Sequence, residues 1–271
     1  MTEESAIAAS SAPVTVASLA EDLRRLGMLA GSVVLVHSSL SKLGWVCGGP
    51  GAVILALREV AGAEGTIVMP AHSGELSDPA GWENPPVPES WWETIRDGMP
   101  PFDPSLTATR QMGAIAELFR QQPGVLRSYH PNDSFAAQGR HAAAITEGHS
   151  LAYGLGEDSP LARVYELDGH VLLLGVGHGN NTSLHLAEHR ADFTGKEQIL
   201  HRAPMIVDGE RRWVEFPDID TNESDFVAIG TDFARDGGPV TVGPVGAGEA
   251  MLMPQGAIVD YAVNWMEKHR S

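Results

Sequence analysis

The stretch from Val33 to Met69 constrains the fold more than any other part of the chain. Val33-Val34-Leu35-Val36 is a short apolar run, typical of a buried strand. Thr66-Ile67-Val68-Met69 is a second, stopped by Pro70. Between them lies Gly48-Gly49-Pro50-Gly51, where Pro50 suits the first turn of a helix. Val53, Ile54 and Leu57 then give that helix an apolar face. Strand, loop, helix and strand in this order make a βαβ unit, and a βαβ unit implies an α/β fold.

The remaining pattern extends this frame. Ser18 followed by Glu21 reads as a capping box, with Leu19, Leu23 and Leu26 at helical spacing and Gly27 or Gly31 as the stop. Residues 74–109 differ: prolines, acids and three tryptophans (Trp82, Trp91, Trp92) without periodicity predict a long irregular excursion ordered by its aromatics. A helix is expected from Met112 to Arg120, and Val171–Val176 is the most apolar strand. A tight loop, Gly175–Asn181, should follow, then a helix from about Thr182 to Ala191. Two β-segments, Pro204–Val207 and Arg211–Phe216, precede a final helix over Gly256–Lys268. The expectation is three layers, α/β/α, around a mixed, largely parallel sheet, with a long insertion and a partly β C-terminal portion. Residues 1–14 read as a flexible, frayed tail, and 15–271 as a single domain.

Charge and cysteine content narrow the function. The formal net charge of −17 repels nucleic acid and anionic membranes and draws in cations. An acidic surface also serves solubility alone. No apolar run reaches the ~18–20 residues of a membrane span. The first fourteen residues lack the basic and apolar regions of a signal peptide. One cysteine, Cys47, forbids an internal disulfide and fits a reducing cytosol, so a cytoplasmic location is expected.

The densest chemistry runs from Gly177 to His189, off the end of a strand and into a helix, where open α/β sheets place their ligand sites. His185, Glu188 and His189 fall at i, i+3 and i+4 and share a helix face; His178 lies just before them. Three readings compete. His185-x-x-Glu188-His189 spells a zinc motif, H-x-x-E-H, yet nothing downstream marks the further ligand a zinc hydrolase needs. A neutral histidine, with a pKa near ~6.5, also serves as a general base oriented by a carboxylate. Histidines that merely pack a helix are the third reading.

Other motifs discriminate less. Gly175-x-Gly177-x-Gly179 misses the G-x-G-x-x-G spacing of a dinucleotide site. Gly48-Gly49-Pro50-Gly51 opens a helix and could hold a phosphate, with hydroxyls from His37-Ser38-Ser39, although glycine turns before helices are common. There is no phosphate-loop motif. Cys47 beside that turn is a possible nucleophile or a small buried hydrophobe. Ser134 and Ser159 lack the G-x-S-x-G elbow of an α/β-hydrolase.

Taken together, several segments resemble the aminoglycoside 3-N-acetyltransferase family. They are Leu35-Val-His-Ser-Ser-Leu40, Gly65-Thr-Ile-Val-Met-Pro70, Arg127-Ser-Tyr-His-Pro131 with Ser134-Phe-Ala-Ala137, and Ser159-Pro160. Leu172-Leu-Leu-Gly-Val-Gly177, Asn181-Thr-Ser-Leu-His-Leu-Ala-Glu188 and Gly243-Pro-Val-Gly246 complete the set, in family order across about residues 16–265. The resemblance implies an α/β fold distinct from the GNAT acetyltransferases. Consistently, Arg110-Gln-Met-Gly-Ala-Ile115 fails the last position of the GNAT R/Q-x-x-G-x-G/A loop.

The resemblance also implies roles. His185 matches the catalytic histidine, Glu188 would support it, and the Thr182 hydroxyl would stabilise an oxyanion at the thioester carbonyl. Acetyl-CoA, as co-substrate, would lie against His37, Ser38, Ser39, Leu40 and Gly49, with Ser128, His130 and Ser159 lining the same cleft. Asp218 and Asp220 would hold the ammonium groups of a cationic aminoglycoside, with Glu75 and Asp78 at a second acidic position. No metal is expected, and the protein would be a monomer or homodimer. The implied reaction is direct attack of a drug amine on the thioester with His185 as base, conferring resistance. Another amine acceptor, a zinc hydrolase, and an acidic protein that only sequesters cationic drugs are the alternatives.

Overall fold

Parallel strands at the centre and antiparallel strands at both wings organise the protein. The structure is a computed structural model that describes residues 3–270 apart from Ser11 and Asn84. In chain order the elements are α1 (Glu3–Ala9), α2 (Val16–Leu26), β1 (Val33–Ser38), α3 (Gly49–Ala61), β2 (Thr66–Pro70), α4 (Trp92–Gly98) and α5 (Gly113–Arg120). Then come β3 (Leu126–Arg127), β4 (Phe135–Gly139), α6 (Ala142–Thr146), α7 (Pro160–Glu166), β5 (His170–Leu174) and α8 (Ser183–Arg190). The last are β6 (Gln198–Val207), β7 (Glu210–Ile219), α9 (Phe226–Arg235), β8 (Thr241–Val245), β9 (Gly248–Pro254) and α10 (Gln255–His269).

The main sheet runs β3-β4-β2-β1-β5-β9-β8. The βαβ unit read from Val33–Met69 lies at its centre, with β1 paired parallel to both β2 and β5. Alternation along the strands divides the core. Val34, Val36, Ile67, Met69, Leu172 and Leu174 pack against α2, α3 and α5 on one face. Val33, Leu35, Val68, Val171 and Leu173 pack against α6–α10 on the other. The three-layer α/β/α expectation therefore holds.

The sheet is less parallel than expected. Parallel pairing among the described residues is confined to β2-β1-β5, and β4, β3, β9 and β8 pair antiparallel. The cause is local connection: β8 and β9 are joined by only Gly246-Ala247, too short for a crossover. The two C-terminal β-segments are longer than predicted and form a separate hairpin, β6–β7, turned by Asp208-Gly209 with both residues at positive φ.

Two further expectations are corrected. The N-cap of α2 is Thr15, not Ser18; Thr15 Oγ1 accepts from the Ser18 amide and Ser18 Oγ accepts from the Thr15 amide, so the box closes one turn earlier. The supposed tail contains α1, and Val14 is buried against the core. Ser10 Oγ also accepts from the Trp45 amide at 2.9 Å.

The 74–109 excursion is fastened by polar links more than by its tryptophans, and Trp91 is 57% exposed. Asp78 accepts from Arg96 Nη2 at 2.7 Å and from Arg202 Nη1 on β6 at 3.3 Å. The carbonyl of Arg96 accepts from Arg211 Nη2 and from Trp213 Nε1 on β7. The Phe102 amide donates to the Pro204 carbonyl at 2.8 Å. Excursion and hairpin thus form one arm.

Candidate active site

The three parallel strands end on one side, and their loops build the site, as expected for an open α/β sheet. β1 delivers His37 and Ser38, β2 leads through Pro70 to His72, and β5 leads into Gly175 and Val176. Gly175 has φ +70°, and a Cβ there would lie 2.8 Å from the Lys42 Cβ, so the β5 loop passes the β1 loop only without a side chain. Gly48 and Gly49, at φ +89° and +57°, turn the chain into α3.

Helix α8 sets the geometry of the His185 side chain. The Asn181 side chain, just before the helix N-cap Thr182, accepts from the Ser183 amide at 3.2 Å and so satisfies one of the free donors at the helix start. One turn in, His185 Nδ1 donates to Glu188 Oε2 at 2.5 Å. Glu188 is 1% exposed, and its second oxygen, Oε1, accepts from Arg270 Nη1 at 2.6 Å and from the Asn222 amide at 2.8 Å. Burial pushes the Glu188 carboxyl up, but the bonds from His185, Arg270 and Asn222 outweigh it and hold the carboxyl below the usual range. An ionised acceptor on Nδ1 leaves the proton there and the lone pair on Nε2. Phe226 packs edge-on against the ring, centroids 4.9 Å apart.

His185 faces a cavity of about 320 Å³, lined also by His37, His72, Thr182, Glu223 and Phe226. A wider limb of about 590 Å³ continues from it, and Ser38, Gln111, Met112, Val176 and Asn180 border both. Ser39, Leu40 and Gly49 line the wider limb. A carboxylate-oriented imidazole at the junction of two pockets suits proton removal from one bound molecule as it attacks another.

The family model described as aminoglycoside 3-N-acetyltransferase matches residues 35–267. The chain belongs to the aminoglycoside 3-N-acetyltransferase family. It is 48% identical over 255 residues to the SPbeta prophage-derived aminoglycoside N(3')-acetyltransferase-like protein YokD of Bacillus subtilis (strain 168), covering 93% of this chain and 92% of that one. The crystal structure of YokD superposes with a TM-score of 0.95 at 44% identity over 98% of each chain. AAC-IIIb in binary complex with CoASH matches at TM-score 0.86 and 35% identity, over 96% of this chain and 98% of that one. AAC-VIa bound to sisomicin matches at 0.86 and 31%, over 96% and 100%. With the family comes the enzyme class, an acetyl-CoA-dependent N-acetyltransferase outside the GNAT fold.

Of the residues that the acetyltransferase resemblance singled out, His185, Glu188, Thr182, His37, Ser38, Ser39, Leu40 and Gly49 meet at or directly behind the cleft. Ser128, His130 and Ser159 do not reach it. Ser128 Oγ accepts from the Phe135 amide and bonds His149 Nδ1 at 2.8 Å. His130 is fully buried, bonded to the Asn132 and Asp133 amides and stacked on His149. Ser159 caps α7. These three hold loops rather than line the cleft.

The acidic positions divide similarly. Asp218 is 4% exposed and accepts from the Gly154 and Ile219 amides, so it is spent on backbone. Asp78 is neutralised by Arg96 and Arg202, and Glu75 lies 3.8 Å from Arg110. Asp220 is exposed and off the cavity wall. The carboxylate on the wall is Glu223, three residues beyond Asp220 and not singled out from the sequence. His72, Gln111 and Asn180 were also missed. The zinc reading does not fit: both Glu188 oxygens are taken, and His189 turns to Asp218, 3.5 Å away. Among the described residues no three His, Cys, Asp or Glu side chains gather as a metal set. Cys47 is exposed and does not line the cleft.

His37 makes a testable contribution to stability. Burial first, and the nearby His185 second, lower its pKa to about 3. The unfolded chain takes up this proton near pH 6.5, whereas the folded chain refuses it until near pH 3. Stability therefore falls as pH drops through that window, with a slope of up to roughly 1.4 kcal/mol per pH unit for this one group. His149, at about 3, and His189, at about 4, act in the same direction. Urea unfolding at pH 7 and pH 5 should show a smaller loss for His37→Gln than for the unsubstituted protein. Equal losses would remove His37 as a source.

Proposed function

We propose that this protein acetylates an amine of an aminoglycoside by direct attack on acetyl-CoA, with His185 as general base, and so confers resistance. The observation that carries the reading is the Glu188-bound Nδ1 of His185, which leaves Nε2 open to the cavity. An ammonium has no lone pair, so the acceptor first loses one proton to solvent to become the free amine, and the base takes a second proton from nitrogen as it bonds the carbonyl carbon. The Thr182 hydroxyl donates to the oxygen that gains charge. As the C–S bond breaks, the protonated imidazole returns its proton to the departing thiolate.

The wider limb, with Ser38, Ser39, Leu40 and Gly49, suits the long coenzyme, and the known complex of AAC-IIIb with CoASH supports a coenzyme site in this fold. Glu223, an overall charge of −17, and the sisomicin complex of AAC-VIa support a polycationic acceptor on the other side. Purified protein mixed with acetyl-CoA and a panel of aminoglycosides should release free thiol only when both drug and enzyme are present, with intersecting initial-rate lines. Ping-pong kinetics would overturn direct attack. Coenzyme A binding without release on any drug would move the acceptor to another amine.

A further inference from the structure

We propose that Arg270 is a positioning residue for acetyl transfer, holding Glu188 against His185 and fastening the Asn222–Asp225 loop beside the cavity. The inference rests on His185 acting as the base. Arg270 lies just beyond α10, and its side chain is only 11% exposed. All three of its nitrogens are engaged. Nη1 donates to Glu188 Oε1 at 2.6 Å, Nε to Asp225 Oδ2 and Nη2 to Asp225 Oδ1, each at 2.7 Å, and Nη2 also to the Asn222 carbonyl at 2.7 Å. The guanidinium sits over the Phe193 ring, 5.0 Å from its centroid.

Glu188 therefore bridges two donors, the imidazole on Oε2 and the guanidinium on Oε1. A carboxylate so deeply buried stays charged and aimed only while such donors remain. Lys196 and His189 also feel its charge, and neither bonds to it. On the loop side, Asn222 is held twice, its amide by Glu188 and its carbonyl by Arg270. Its neighbours Thr221 and Glu223 line the cavity. One guanidinium thus ties the base to the wall where the acceptor amine would lie. A lysine cannot copy this, because an ammonium lacks the planar fork.

The test places Arg270→Ala and Arg270→Lys in the unsubstituted and His185→Ala backgrounds. Arg270→Ala should lower kcat about 10–100-fold, the effect of losing a partner that orients a reacting side chain. It should also raise KM for the amine while leaving coenzyme A affinity unchanged. Millimolar guanidinium should restore part of the lost kcat in Arg270→Ala and nothing in Arg270→Lys. In the His185→Ala background the kcat effect of Arg270→Ala should vanish, because it acts through that histidine. An equal loss in both backgrounds, or no loss in either, overturns the inference. Unchanged kcat in His185→Ala alone overturns the base reading instead. Should Arg270→Ala not fold, Arg270→Lys carries the test: it reaches Glu188 or Asp225 but not both, so kcat should fall with cooperative melting retained.

Discussion

Replacing His185 by alanine is expected to lower kcat about 10²–10⁴-fold, the range for loss of a positioned general base. The fold should survive, because Glu188 keeps Arg270 and Asn222 as partners and no buried carboxylate is left alone. Coenzyme A affinity should stay close to that of the parent, since the wider limb is built from Ser38–Ser41 and Gly49 rather than from α8. Steady-state rates and calorimetric titration of coenzyme A separate these quantities. An unchanged kcat sinks the assignment, and a parallel loss of coenzyme A binding points to a packing role instead. Raising the pH should not rescue the variant fully, because free amine in solution supplies the missing deprotonation but not the base held in place.

Phe226→Ala carries the largest expected effect on stability. Phe226 is 1% exposed, opens α9, and belongs to the core cluster on the α8–α10 face of the sheet. Removing a buried aromatic ring costs about 3–5 kcal/mol when the site cannot collapse. Collapse is opposed here because the ring separates α9 from the His185 imidazole. The same deletion frees His185 to tilt, so kcat should fall with stability. Phe226→Leu should recover most of the stability. Urea midpoints and kcat measured on the three proteins decide it. A midpoint for Phe226→Ala equal to that of the parent would mean that neighbouring side chains fill the gap.

The centre of the fold was legible because fully buried parallel strands are written as continuous apolar runs, as in Val33–Val36 and Val171–Leu174. The wings were not. β3 is two residues long, and β4 begins Phe135-Ala-Ala, with little β preference. β8 contains Gly243 and Pro244, which weaken any strand pattern; the structure tolerates both because β8 is an edge strand. Helix α9 was hidden by Gly230, whose missing side chain admits the His178 ring: a Cβ there would lie 2.1 Å from it.

In the site, His185 and Glu188 were visible because three residues along a helix bring side chains together. Arg270 reaches Glu188 across 82 positions, and no local pattern encodes such a meeting. Ser128, His130 and Ser159 were misplaced because a buried polar side chain that satisfies a backbone turn looks, in sequence, like one that meets a ligand.

The arm formed by the excursion and the β6–β7 hairpin has a consequence for how such chains diversify. Asp78 answers to two guanidinium groups, one on each part, and the Arg96 carbonyl answers to two donors on β7. A lineage that exchanges either part alone loses the bonds between them, from Arg202 to Asp78 and from Arg211 and Trp213 to the Arg96 carbonyl. Excursion and hairpin are therefore expected to drift in step, as a single heritable cassette, while the parallel strands beneath them stay as they are.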